Sequence, residues 1–92
     1  MIHQVEIYES PIKERNEDKF GFTAEPQCEC CCKPLKVGSK YFQFHATTNW
    51  TAIPYNTTEE EMKVEGLESQ GFFYLGSACA KKFPKEYTQQ VD

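Results

Sequence analysis

Five cysteines fall in a chain of 92 residues, and four of them lie between positions 28 and 32. Thiolate sulfur and imidazole nitrogen are the donors that zinc favours, four at a time in a tetrahedron. Within the cluster only Cys28 and Cys31 are three apart, the separation at which one tight turn presents two sulfurs to one ion. Cys28 with Cys32 is a looser pair, and the adjacent and alternate combinations are expected to point apart. Cys28 and Cys31 therefore read as a knuckle. Cys79 reads as the third ligand, because it falls in the first turn of an expected helix, where unpaired N–H groups and the helix dipole favour a thiolate. The chain has two histidines, His3 and His45. His45 is the expected fourth ligand, with Cys30, Cys32 and His3 as rivals.

The argument for His45 comes from its strand. Residues 40–48 alternate, with Phe42, Phe44 and Ala46 on one face and Tyr41, Gln43 and His45 on the other. The phenylalanines must face the apolar core, so His45 faces away. The strand follows the knuckle across Val37-Gly38-Ser39, an expected turn, and so can return past the metal.

Elements that must position these donors are short. Residues 2–8 read as a strand, 9–19 as a polar loop broken by Pro11, and Phe20 to Thr23 as a second strand. Trp50 to Tyr55 pairs back on the 40–48 strand, with Asn49 near the turn. Thr58-Glu59-Glu60-Glu61 is a capping-box sequence opening a short acidic helix that ends at Gly66. Phe72 to Leu75 is a strand, Ala78 to Phe83 a short helix with Ser77 as N-cap, and Pro84 stops it. The last residues are expected to fray. The fold class is thus small α+β: a zinc-stapled antiparallel sheet with one or two short helices. One domain covers 1–92, with the zinc module at about 26–84 and an N-terminal strand and loop at 1–25.

Two motifs carry a resemblance. A knuckle, a hairpin and a helix whose first turn donates a ligand is similar to the treble-clef zinc finger. Cys28-Glu29-Cys30-Cys31-Cys32-Lys33-Pro34-Leu35 and Gly76-Ser77-Ala78-Cys79-Ala80-Lys81-Lys82 resemble small uncharacterised phage and mobile-element zinc proteins, with a C-x-x-C-G-K-P-L opening and a G-S-x-C-A-K-K close. The resemblance spans about residues 28–83. It implies one structural zinc and an accessory protein that binds a host macromolecule. The chain departs from the pattern at Cys32, which stands where the family has a glycine suited to φ > 0. Its helix also offers one cysteine where many treble clefs offer two.

Composition narrows the function. Net charge is −4, which argues against a general nucleic-acid coat. Basic residues nonetheless flank the ligands: Lys33, Lys36 and Lys40 after the knuckle, Lys81, Lys82 and Lys85 after Cys79. Together they form a candidate binding patch for phosphates. The acidic run from Glu59 to Glu68 suits a basic partner. The start of the chain lacks the pattern of a signal peptide, and no stretch is apolar enough to span a bilayer. The expected location is a reducing cytoplasm, that of the bacterial host if the phage resemblance holds, where clustered cysteines signal metal rather than disulfides. H-x-E…P-C-x-x-C and H-E-x-x-H are both absent, and no nucleophile set is apparent, so no catalytic residue is expected. The preferred reading is a structural-zinc interaction module with a protein partner and no membrane contact. A nucleic-acid-binding zinc finger is the alternative, and a metal-dependent nuclease the distant one.

Overall fold

A computed structural model describes residues 1–21, 27–35 and 40–91. The chain folds as a small α+β unit around a curled antiparallel sheet. In chain order the elements are β1 (Val5–Glu6), α1 (Lys13–Phe20), β2 (Tyr41–Thr47), β3 (Thr51–Ile53), α2 (Glu59–Val64), β4 (Ser69–Gly76), α3 (Ser77–Ala80) and β5 (Thr88–Val91). A single 3₁₀ turn, Lys85–Tyr87, leads into β5.

Strand β2 is the spine. Its sequence, YFQFHAT, is rich in the aromatic and β-branched residues that suit a pleated surface. One edge pairs with β4 from Tyr41↔Gly76 to Thr47↔Ser69. The other edge is shared: β3 pairs at His45 and Ala46, and β5 runs from Phe44↔Thr88 to Tyr41↔Val91. Strand β1 continues the sheet beyond β3. Both edges of β2 are therefore satisfied, and Phe44 to Thr47 are all buried.

The expected alternation holds. Phe44 is 0% exposed and sits among Phe73, Phe83 and Trp50, with ring centroids at 6.1, 5.8 and 6.2 Å. Burial of one such ring contributes about 1.5–3 kcal/mol. The same core takes in Ala46, Leu75, Ala80 and the cysteines Cys28, Cys30, Cys31 and Cys79. The cysteine cluster is thus a corner of the hydrophobic core.

Local signals explain the shorter elements. Thr58 caps α2 by accepting from the Glu61 N–H, and Glu61 returns the bond to the Thr58 N–H, completing the expected capping box. Gly66, at φ 71°, ends α2: its N–H reaches the Lys63 carbonyl and the Leu67 N–H the Met62 carbonyl. Trp50 turns the β2–β3 hairpin at φ 59°, a conformation held by its packing on Phe73 at 5.2 Å and Phe44.

Five expectations need correction. Residues 13–20 form a helix rather than loop, starting just after Pro11, and Phe20 ends it instead of opening a strand. The N-terminal strand is only Val5–Glu6. The N-cap of α3 is Gly76, without a side-chain cap, and Ser77 is already helical. Residues 88–91 do not fray, because β2 offers them an open edge. Phe22, Thr23, Lys36 and the Val37-Gly38-Ser39 turn lie outside the described residues.

Candidate metal centre

The knuckle is a tight loop closed at its base. Gln27 and Pro34 form an isolated bridge, the Cys28 N–H reaches the Lys33 carbonyl at 3.0 Å, and the Cys32 N–H reaches the Cys28 carbonyl at 2.7 Å. Closing it needs one left-handed residue, and that is Cys32 at φ 61°. The left-handed turn is therefore made by a cysteine, a conformation that costs a side-chain-bearing residue about 1–2 kcal/mol.

What holds the loop in that shape comes from elsewhere in the chain. The Cys30 carbonyl accepts from the Ser10 N–H at 2.8 Å. The Cys31 carbonyl accepts from Asn16 Nδ2 at 2.7 Å, and the Cys32 carbonyl from Gln27 Nε2 at 3.1 Å. On the other side, the Glu29 N–H donates to the Tyr74 carbonyl of β4 at 2.9 Å. These bonds satisfy the loop backbone, as burial requires, and fix where its side chains point.

The third donor arrives from the far end of the sheet. β4 runs into α3 at Gly76, so Cys79 sits one turn beyond the strand and over the knuckle. The sulfurs of Cys28, Cys31 and Cys79 lie within 4.8 Å of one another, and all three residues are buried. A tetrahedral site with metal–sulfur bonds of about 2.3 Å has sulfurs roughly 3.8 Å apart, so the group is close to ligating geometry.

The site's electrostatics centre on Cys28. Its pKa falls well below the ordinary thiol value, first because the Cys30 thiol donates to its sulfur, then because the backbone N–H groups of Gly76, Cys31 and Cys30 do the same. Burial opposes this but does not prevail. Cys30 is shifted upward, chiefly by donating that bond and then by burial. Burial is also the leading cause of the upward shifts at Cys31 and Cys79. One thiolate cradled by thiols and amides is a cation-binding arrangement.

His45 does not join the three cysteines. The alternation that turns it from Phe44 also turns it from the face on which the cysteines pack. Its Nε2 lies 2.6 Å from Ser69 Oγ, and its ring stacks on Phe72 at 4.6 Å. It is 5% exposed, and Nδ1 has no hydrogen-bond partner among the described residues. The sequence argument turned His45 away from Phe44, as the structure does, but that does not bring it to the three cysteines. Cys32 is also turned aside, its sulfur 3.5 Å from Glu17 Oε1. Cys30 is buried in the same cluster but is not among the three residues whose sulfurs lie within 4.8 Å of one another.

Lys33 and Lys40 line a cavity of about 380 Å³ onto which Cys31 and Cys79 open, which gives an ion a path to the sulfurs. Lys81 and Lys85 line a second depression with Phe42 and Phe83, which shares Ser77 with the first cavity. Lys82 Nζ stands 5.5 Å from the Tyr8 ring centroid. Lys36 lies outside the described residues. Asn16, Ser10 and Gln27 are the positioning residues that sequence reasoning missed, since polar residues in a polar run carry no pattern. Among the described residues no helix is long and apolar enough to cross a membrane. Comparison with protein-family models, curated proteins and solved structures finds no match for this chain.

Proposed function

We propose that this chain is an interaction module stabilised by one structural zinc ion. The observation that carries the reading is the approach of the three buried sulfurs of Cys28, Cys31 and Cys79 to within 4.8 Å. Thiolate donors select soft or borderline metals, and zinc is the one that tetrahedral sulfur sites most often hold in a structural role. The location supports structure over catalysis: the sulfurs belong to the main core of a small domain, the place where a metal adds most to folding. The order of knuckle, hairpin and ligand-bearing helix supports a treble-clef reading. The phage or mobile-element origin rests on the resemblance of the two cysteine motifs alone.

We assign the chain no catalytic residue. His45, the histidine a nuclease would need beside the metal, is engaged with Ser69 and Phe72. A protein partner is preferred to nucleic acid because the chain carries a net charge of −4. The nucleic-acid alternative keeps Lys33 and Lys40 beside the metal site in its favour.

The test is elemental and thermal. Protein purified under reducing conditions carries about one zinc per chain, and chelation removes most of its cooperative unfolding, because ligand binding and folding are coupled. Metal-free protein with an unchanged melting curve overturns the reading.

A further inference from the structure

Three sulfurs leave one vertex of a tetrahedron unassigned. The described residues narrow the choice. His45 is held on the opposite face of β2 by Ser69 and Phe72. Cys32 is directed at Glu17, on α1. His3 is exposed, and its carbonyl serves as acceptor for the Tyr87 hydroxyl.

Cys30 differs from all of these. It is 0% exposed and belongs to the same buried cluster as the three ligands. It lies between Cys28 and Cys31 in sequence, and all four cysteines pack in one buried cluster. Its main chain is pinned from outside by the Ser10 N–H at 2.8 Å. Its sulfur is not among those that lie within 4.8 Å of one another, which are the sulfurs of Cys28, Cys31 and Cys79. A change between staggered χ1 positions moves a sulfur without moving the backbone.

Resting on the metal reading above, we propose that Cys30 is the fourth ligand, so that the ion is held by the sulfurs of Cys28, Cys30, Cys31 and Cys79. On binding, the S–H bond of Cys30 breaks, its proton passes to solvent, and a metal–sulfur bond replaces it. No electron is transferred. Three of the four donors then come from one four-residue stretch, Cys28 to Cys31, and the fourth from α3. An all-sulfur site closes the coordination sphere with protein ligands and leaves no vertex for water, the condition of a structural centre.

The experiment uses the full chain with cobalt(II) as the probe and zinc as the competitor. Wild-type protein gives the d–d and sulfur charge-transfer bands of a four-thiolate tetrahedral site. Cys30→Ser shows weaker charge-transfer intensity and loses more than about tenfold in zinc affinity, at least the loss expected when even a group supporting a ligand is removed. Cys32→Ser and His45→Ala keep the wild-type spectrum. X-ray absorption at the zinc edge of wild-type protein gives an answer that does not depend on any variant folding: four sulfurs at about 2.3 Å. Three sulfurs with one nitrogen or oxygen, or a spectrum unchanged by Cys30→Ser, overturns the assignment of Cys30 and leaves the three-cysteine site standing. Failure of wild-type protein to take up either metal overturns the site as a whole.

Discussion

Asn16 is the residue on which the link between α1 and the knuckle turns. It is the one buried residue of an otherwise solvated helix, 9% exposed, and its Nδ2 donates to the Cys31 carbonyl at 2.7 Å. Asn16→Ala removes the donor and leaves that carbonyl without its partner beside a ligand residue. An unsatisfied buried acceptor costs about 1–3 kcal/mol. For a domain of this size, 1 kcal/mol corresponds to roughly 4–8 °C in Tm, so the melting temperature falls by at least about 4 °C. Because metal binding and folding are coupled, the same loss appears in the zinc affinity at tenfold per 1.4 kcal/mol, a weakening of about five-fold or more. The assays are thermal denaturation by circular dichroism and a competition titration against a chromophoric chelator. Arg15→Ala, exposed on the neighbouring position of the same helix, is the control. If Asn16→Ala matches that control in both assays, the knuckle does not depend on this contact and α1 is an appendage to the site.

Two further predictions concern charge. Burial holds the pKa of His45 below its ordinary value of 6.5, so the unfolded chain takes up the proton first as pH falls. Stability contributed by the neutral ring is full above pH 6.5 and declines as pH drops toward the folded-state value; the loss of Tm between pH 7 and 5.5 should be smaller in His45→Gln, and equal losses would show that the ring does not titrate with unfolding. Changing Lys81, Lys82 and Lys85 together to glutamate leaves Tm nearly unchanged, since all three are exposed; if wild-type protein binds DNA or RNA at low salt, the triple variant loses that binding and its salt dependence, and wild-type protein without such affinity removes the nucleic-acid reading.

Where the sequence was legible, a local rule was strong enough to survive the tertiary structure. The alternation of Tyr41 to Thr47 named the central strand and its core face. The capping box at Thr58 and the glycine at 66 bounded α2 at both ends. Helix α1 was hidden because its eight residues, KERNEDKF, carry no apolar stripe; its buried residue is an asparagine engaged with a distant carbonyl. Strand β5 was hidden for another reason. Thr88 to Val91 has no strong strand pattern, and it becomes a strand because β3 covers only the far half of the edge of β2 and leaves Tyr41 to Phe44 to be paired.

The site divides along the same line. Spacing pointed to Cys28 and Cys31 and the short helix to Cys79, and these three sulfurs do lie together, although the thiolate expected at Cys79 from the helix terminus is opposed by burial, which raises its pKa. The fourth position could not be found that way. Alternation states which residues share a face of β2, but not on which face the knuckle lands. That choice is made by contacts no periodicity reports: Ser10 and Asn16 holding the carbonyls of Cys30 and Cys31, and Tyr74 receiving the N–H of Glu29. They settle the loop against the Phe44 side of the sheet, and His45 is thereby left to Ser69 and Phe72. The backbone contacts that exclude the histidine also bury Cys30 in the cluster of Cys28, Cys31 and Cys79, so the position His45 vacates and the cysteine offered in its place have the same physical cause.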